Sequence, residues 1–355
     1  MSTIPVQLTE HPKQKPADQN SLGFGRIFTD HMFLMNYEEG KGWLNPRVVP
    51  YGCFDMDPAA MVLHYGQAIF EGTKCYRRKD GGLQLFRPAD NLARMSRSAQ
   101  RMGMPALDEE LALEGLKTLV RTDADWVPDK DGTSLYIRPT MISTDIGLGV
   151  HASKTYLFYI ILSPVGAYYK EGLKPVSIYV EDEYVRAVRG GVGFTKCAGN
   201  YAASILAGSI AEEKGFSQVL WLDGVEQKYV EEVGSMNMMF AYGNKIVTPK
   251  LNGSILPGIT RDSVLKLAAQ LGYEAEEARL DVNEIFADAK SGKLTEAFGT
   301  GTAAVISPVG KLCLRDETIT IGNGEIGSIS QKLYDTLTGI QYGRLEDRNH
   351  WIVTL

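Results

Sequence analysis

The stretch GGVGFTKCAGNY, from Gly190 to Tyr201, contains the residue whose type and setting point most directly to chemistry, Lys196. A lysine amine that is partly desolvated can be neutral near physiological pH and can attack an aldehyde. Glycines nearby let the backbone come close to a bound molecule. A P-loop would need glycine before the lysine and Ser or Thr after it, and a dinucleotide loop would need its third glycine where Lys196 stands. Both patterns are absent, and a surface lysine in a flexible loop is the alternative interpretation.

Pyridoxal phosphate is the commonest aldehyde of this kind. It also needs a carboxylate at its pyridine nitrogen, a donor to its phenolate oxygen and a cluster of amides for its phosphate. Glu232 in VEEVGSMN is the candidate carboxylate, and Tyr201 is the candidate donor. The string LPGITRDSVLKLAAQLG predicts a helix whose first amides, at Ile259 and Thr260, would point at an anion. The sequence therefore offers a candidate for each requirement.

Four strings that occur in order, GGVGFTKCAGNY, EEVGSMN, LPGITR and FGTGTA, resemble those of branched-chain amino acid aminotransferases, pyridoxal phosphate enzymes of fold type IV. The resemblance runs from about Phe24 to IQYG near the C-terminus. It implies an α+β fold with a smaller N-terminal α/β domain and a larger C-terminal domain with a β-barrel-like core. It also implies reversible transamination of L-leucine, L-isoleucine and L-valine with 2-oxoglutarate, which gives branched-chain 2-oxo acids and L-glutamate.

The resemblance assigns a role to each matching residue. Lys196 would carry pyridoxal 5′-phosphate as a Schiff base and move the proton of the substrate Cα. Glu232 would bind the pyridine nitrogen, and Tyr201 the phenolate oxygen. The phosphate would be bound by Arg87, Ile259, Thr260 and Thr302. The substrate would be bound by aromatic rings, a strand arginine and a group of amides and hydroxyls: Phe24, Tyr65, Phe70, Tyr136, Arg138, Ser235, Thr302 and Ala303.

Two positions depart from the family pattern. Mammalian relatives have a Cys-x-x-Cys pair after GTGTA, where this chain has Ala304 and Ser307, so a redox switch of that kind is not expected. Cys197 is interpreted as a small buried residue. Two other functions remain open. One is that of a D-amino acid aminotransferase or aminodeoxychorismate lyase, which share the lysine and the glutamate, and the other is a catalytically silent phosphate-binding module with the same fold.

The composition is that of a globular protein long enough for two domains, with 355 residues, 44% hydrophobic and 23% charged. A formal net charge of -6 without a basic block argues against nucleic acid as a partner, and small-molecule substrates are expected. The absence of a long apolar run or signal-peptide pattern predicts a cytoplasmic protein that does not bind membranes. Scattered cysteines predict free thiols and no metal site: Cys53, Cys75, Cys197 and Cys313. The family implies a homodimer.

Periodicity and turn residues predict the elements that position these side chains. Leu83 to Phe86 follows a turn signal and is predicted to be the second arm of a hairpin. Helices are predicted over 89–102 and 109–121, followed by the strands SLYIRPTMI and TYLFYIIL. In the second half we predict a helix over 201–215 and a hairpin around Gly243-Asn244. Residues 164–175 are predicted to connect a small domain, 1–163, to a large domain, 176–355, that carries the cofactor lysine.

Overall fold

The computed structural model describes residues 4–166 and 173–355. The first strands are β1 (His31–Glu38), β2 (Gly42–Pro50), β3 (Ala68–Phe70), β4 (Thr73–Arg77), β5 (Leu83–Phe86), β6 (Ser134–Ser143) and β7 (Thr155–Val165). The remaining strands are β8 (Val176–Glu181), β9 (Gln218–Leu222), β10 (Val230–Val233), β11 (Met236–Tyr242), β12 (Lys245–Pro249), β13 (Glu274–Ala278), β14 (Glu296–Gly301), β15 (Val305–Leu314), β16 (Glu317–Thr320) and β17 (Ile352–Thr354).

The helices complete the set of elements. They are α1 (Met61–Tyr65), α2 (Pro88–Arg101), α3 (Glu109–Thr122), α4 (Ala198–Ala202), α5 (Ile205–Glu213), α6 (Ile259–Gln270), α7 (Val282–Ser291) and α8 (Ser328–Gln341), with a 3-10 turn at Ala124–Trp126. Within the described ranges, none of these helices has the length and apolar character needed to cross a bilayer.

The chain divides into two compact units. The first comprises the described residues within Met1–Lys170, Thr195–Gly199 and Ile340–Leu355. The second comprises those within Glu171–Phe194 and Asn200–Gly339. The domains predicted from the sequence, 1–163 and 176–355, stay a prediction. Within the predicted connector, β7 continues through Val165, and residues 167–172 lie outside the described residues.

The first unit is built on a sheet with the strand order β17-β5-β4-β6-β7-β1-β2, to which β3 adds by pairing with β6. The predicted hairpin is confirmed as β4 and β5, and the two predicted helices are confirmed as α2 and α3. Helix α2 buries Leu92, Met95 and Ala99, which lie at the spacing of one helical face. In α3 the Asp108 side chain caps the helix by accepting from the Leu111 N–H.

The second unit contains a closed six-stranded barrel in the order β10-β9-β8-β15-β14-β11, closed because β10 also pairs with β11. Strand β8 is parallel to both β9 and β15. Helix α5 covers part of this sheet, with Ala207 and Ala211 packed in one cluster with Tyr179 and Trp221. The predicted α+β fold with a barrel-like core is therefore confirmed.

The single helix predicted over 201–215 is wrong, because two helices, α4 and α5, occupy this region. The break lies near Ser204, whose hydroxyl donates to the Tyr201 carbonyl at 2.8 Å. A serine that bonds its own local backbone offers that backbone an alternative to a continuous helix. The hairpin predicted around Gly243-Asn244 is confirmed as β11 and β12, and Gly243 has the positive φ of 60° that such a turn needs.

Candidate active site

Lys196 has its backbone fixed on both sides within the first unit. Its N–H donates to the Ser98 hydroxyl of α2 at 3.0 Å, and its carbonyl accepts from the Phe70 N–H at 3.0 Å. The next residue, Cys197, forms a bridge with Ile69 and is only 1% exposed. The lysine itself is partly buried, so the interpretation as a surface lysine in a flexible loop is wrong. The interpretation of Cys197 as a small buried residue is confirmed.

The surroundings of Lys196 favour its neutral amine. Burial lowers the pKa of Lys196 to about 8, and the charge of Arg94 also lowers it, whereas the charge of Glu71 acts in the opposite direction. The amine nitrogen lies 4.9 Å from the centroid of the Phe70 ring. Burial also lowers the pKa of Lys74 to about 8. A lowered pKa alone therefore does not identify a nucleophile, and the neighbours of Lys196 are the more specific feature.

A buried ion pair acts on Lys196 and was missed in the sequence. The Arg94 Nε donates to Glu71 Oε1 at 2.7 Å, and Arg94 Nη2 donates to Oε2 at 2.8 Å. Asn91 Nδ2 also donates to Oε2, at 2.8 Å. Burial would raise the pKa of Glu71, but the charges of Arg94 and Lys196 hold it below its ordinary value. The available signal was polar residues on the buried face of α2: Asn91, Arg94 and Ser98.

Four of the predicted substrate residues form one cluster in the first unit. The rings of Phe24 and Tyr136 are 4.9 Å apart and edge to face. The Arg138 guanidinium lies 4.7 Å from the Phe70 ring centroid, and its Nη2 donates to the Tyr136 hydroxyl at 3.2 Å. Gly72 makes room for this tyrosine, since a Cβ there would lie 2.0 Å from the hydroxyl oxygen. The cluster combines apolar ring surface with a cation.

Tyr65 and Arg87, also predicted site residues, have other contacts. The Tyr65 side chain is 41% exposed, and its hydroxyl donates to the Leu148 carbonyl. Arg87 is buried at the N-cap of α2, with a left-handed φ of 51° that few non-glycine residues adopt. Its Nε donates to Asp90 at 2.7 Å, and its guanidinium lies 5.4 Å from the Trp351 ring centroid. Arg87 is therefore fixed by its surroundings rather than free in solvent.

Glu232 lies on β10 in the second unit, where three groups hold its carboxylate. The Leu256 N–H donates to Oε1 at 2.8 Å, and Asn237 Nδ2 donates to the same oxygen at 3.4 Å. Arg186 Nε lies 2.8 Å from Oε2. This arginine, which the sequence analysis missed, also donates to the carbonyls of Gly193 and Ser254. The result is a buried carboxylate with a fixed orientation and a cationic neighbour.

Glu232 and two other predicted residues line one cavity of about 130 Å³ in the second unit. The other two are Tyr201 of α4 and Ser235 of the turn between β10 and β11. The neighbouring Glu231 lines a different cavity, of about 520 Å³, and accepts from Asn252 Nδ2 at 2.8 Å. The two neighbouring glutamates therefore line different cavities, and only Glu232 shares one with Tyr201 and Ser235.

The predicted phosphate ligands of the second unit lie at a helix start and a turn. Ile259 and Thr260 begin α6, whose N-cap, Gly258, has no side chain to cap the first amides. A Cβ at Gly258 would lie 1.9 Å from Asn237 Oδ1, so the close approach requires glycine. Thr302 and Ala303 form the turn between β14 and β15. Next to this turn, Thr300 Oγ1 is buried without a hydrogen-bond partner among the described residues.

Comparison with known proteins decides the family. The family described as amino-transferase class IV matches residues 68–312. The chain belongs to the class IV aminotransferases. The matched region of this class IV aminotransferase includes Lys196, Tyr201 and Glu232.

Its curated relatives and solved neighbours agree with the predicted family. This class IV aminotransferase is 59% identical over 349 residues to branched-chain-amino-acid aminotransferase 2 of Bacillus subtilis strain 168, with 98% of this chain and 96% of that protein covered. Its fold matches the crystal structure of the Escherichia coli branched-chain amino acid aminotransferase with a TM-score of 0.76. The match covers 91% of this chain and 98% of that chain, and the two sequences are 28% identical. It is 25% identical to the branched-chain aminotransferase of the thermophilic archaeon Thermoproteus uzoniensis with norvaline, with a TM-score of 0.75 over 91% and 99% of the two chains. The resemblance inferred from the motifs is confirmed.

Proposed function

We propose that this class IV aminotransferase reversibly transfers the amino group of L-leucine, L-isoleucine or L-valine to 2-oxoglutarate, giving branched-chain 2-oxo acids and L-glutamate. The observation that carries the proposal is the 59% identity, over 98% of the chain, to a branched-chain-amino-acid aminotransferase. The partly buried Lys196, with a pKa lowered to about 8, is the amine that this reaction needs.

The cofactor is pyridoxal 5′-phosphate, and the donor groups of the chain fit it. When bound, it supplies an aldehyde that condenses with amines and a ring that accepts the electron pair of the substrate Cα. Lys196 would hold the aldehyde carbon, Glu232 the pyridine nitrogen and Tyr201 the phenolate oxygen. The phosphate would be held by an arginine, the first amides of α6 and a threonine of the β14–β15 turn: Arg87, Ile259, Thr260 and Thr302. Beside that turn, the Thr300 hydroxyl is buried and has no hydrogen-bond partner among the described residues, so it could donate to a bound anion.

The protein residues would do four things during the reaction. The Lys196 amine would take the proton from the substrate Cα and deliver it to the carbon on the other side of the transferred nitrogen, the former aldehyde carbon. Glu232, kept anionic beside Arg186, holds a proton on the pyridine nitrogen. The hydroxyl and amide groups of Ser235, Thr302 and Ala303 bind the α-carboxylate. The rings and the strand arginine would bind the substrate side chain: Phe24, Tyr65, Phe70, Tyr136 and Arg138.

One cluster would accept both kinds of substrate side chain. The rings of Phe24, Phe70 and Tyr136 offer apolar surface to the methyl groups of leucine. Arg138 offers a cation to the second carboxylate of glutamate, and its Nε is buried without a hydrogen-bond partner in the described part of the chain. The Tyr65 hydroxyl bonds to Leu148 and its ring lies beside His64, so its role at the substrate stays a prediction.

The test is glutamate formation from L-leucine and 2-oxoglutarate, with D-alanine as the competing amino donor. We expect activity with L-leucine and none with D-alanine. Lys196→Ala should abolish activity, with a loss beyond the ~10²–10⁴-fold that is usual for one acid-base group, because the tether and the proton carrier are lost together. The purified protein should also be yellow, and borohydride should bleach the colour by reducing the Schiff base. A colourless protein would instead support a catalytically silent phosphate-binding module. Retention of more than a few per cent of activity in the alanine variant would refute the assignment of Lys196.

We further propose a homodimer in the cytoplasm. The family resemblance supports the dimer, and the free state of the cysteines supports a reducing compartment: Cys53, Cys75, Cys197 and Cys313. Light scattering on the purified protein tests the first point, and a monomeric mass would contradict it. Cell fractionation tests the second.

A further inference from the structure

The same two elements that hold the Lys196 backbone also carry the buried ion pair. On α2, Arg94 and Ser98 are four residues apart and therefore share a face of the helix. Ser98 accepts from the Lys196 N–H. At the end of β3, Phe70 donates to the Lys196 carbonyl, and Glu71 follows it directly. The backbone of Lys196 is thus hydrogen-bonded to α2, which carries Arg94, and to the end of β3, which Glu71 follows.

The charges of this pair act on the lysine in opposite directions. The charged or titratable groups that act on Lys196 include four described residues of the first unit: Glu71, Arg94, Tyr136 and Arg138. The Arg94 cation cannot lose its proton, and Glu71 fixes it with two parallel hydrogen bonds. Glu71 is fully buried, and Arg94 is 4% exposed, so solvent screens their charges only weakly. Asn91 holds the second oxygen of Glu71 and so prevents the carboxylate from turning.

We propose that Glu71 and Arg94 are positioning residues for Lys196: the pair, carried by the two segments that hold the lysine backbone, places a permanent cation and one balancing carboxylate where their charges act on the amine, so that the amine can both lose and regain a proton. Burial already favours the neutral amine; the charge of Arg94 adds to this effect, and the charge of Glu71 opposes it. The catalytic consequence rests on the proposed aminotransferase function, but the electrostatic effect on Lys196 does not.

The test measures proton binding by Lys196 without any turnover. The full-length chain, freed of cofactor, is labelled with trace acetic anhydride across a pH series, and mass spectrometry gives the labelling midpoint of the Lys196 peptide. Glu71→Gln should lower this midpoint, and Arg94→Gln should raise it, each by about half a pH unit, which corresponds to a roughly threefold change in neutral amine below the midpoint. The Glu71→Gln/Arg94→Gln double variant should lie between the two. Lys74 is the internal control, because burial also lowers its pKa to about 8, so its peptide reports any general change in the exposure of buried amines.

Shifts in opposite directions distinguish charge placement from a merely structural role, which would move both midpoints the same way or move Lys74 as well. The double variant leaves no buried charge uncompensated and is expected to fold where a single variant does not. Near-UV circular dichroism shows which single variants are folded. The labelling midpoint of the double variant, compared with that of a folded single variant, still gives the direction in which one of the two charges shifts the Lys196 midpoint. Equal midpoints in the wild type and all folded variants would overturn the proposal. Loss of transamination with unshifted midpoints would also overturn it, whereas shifted midpoints in a protein without transaminase activity would refute only the proposed function.

Discussion

Replacing Arg186 with methionine should destabilise the second unit strongly, because it leaves Glu232 as a buried carboxylate without its cation. Arg186 and Glu232 have side chains that are only 8% and 4% exposed, with 2.8 Å between Nε and Oε2. Breaking a buried pair of this kind costs about 3–5 kcal/mol. The matched control is Arg315→Met. Its Nε lies 2.7 Å from Asp182, but Arg315 is 77% exposed, so we expect a cost of about 0.2–1 kcal/mol.

Urea unfolding followed by fluorescence measures this difference. Of the four tryptophans, Trp221 lies in the second unit and pairs in register with Glu232, so it contributes the part of the signal that comes from the strands concerned. The Arg186→Met/Glu232→Gln double variant removes both charges and should recover most of the lost free energy of unfolding. Equal costs for Arg186→Met and Arg315→Met would refute the reasoning, because they would mean that burial adds nothing to the strength of the pair.

Three further predictions concern the cofactor and the thiols. Glu232→Gln should keep pyridoxal phosphate bound but slow turnover, whereas Glu231→Gln should leave turnover near wild type, because Glu231 lines a different cavity. Steady-state kinetics measures both variants, and slower turnover in Glu231→Gln alone would exchange the roles of the two glutamates. Because the pKa of Lys196 is lowered to about 8 and only the neutral amine attacks an aldehyde, cofactor uptake by the stripped protein should rise as the pH increases through about 8 and then level off, and a rate independent of pH would contradict this. Dilute peroxide should leave activity nearly unchanged, since Cys197 is 1% exposed; inactivation that dithiothreitol reverses and Cys197→Ser abolishes would show a redox sensor.

The sequence predicted the regular elements where local chemistry dominates. Helix α2 has apolar residues at steps of three and four, and the hairpin of β11 and β12 has glycine where φ must be positive. The prediction failed near Ser204, where one serine hydroxyl bonded to the Tyr201 carbonyl separates α4 from α5. The pattern of apolar residues contains no mark of such a bond, because both halves are compatible with a helix.

For the candidate site, sequence motifs indicated the residues that are proposed to touch a ligand. They did not indicate the residues that hold those side chains in place. Lys196, Glu232 and Tyr201 stand in recognisable strings. Their supports, such as Arg186, belong to pairs whose partners are far apart in the chain. Arg94 is separated from Glu71 by 23 positions, and a single sequence carries no signal of that pairing. Only the polar residues on the buried face of α2 could have indicated that a charge was buried there.

Arginine has opposite effects at the two ionisable residues on which the proposed chemistry depends. In the first unit, burial favours the neutral form of Lys196, and Arg94 acts in the same direction because like charges repel. In the second unit, Arg186 lies against Glu232 and favours the anion, because opposite charges attract. A lysine at either position could lose its own proton when buried and so lose the effect, whereas a guanidinium stays charged. A permanent cation at both places therefore favours an uncharged amine at Lys196, where burial acts in the same direction, and an anion at Glu232.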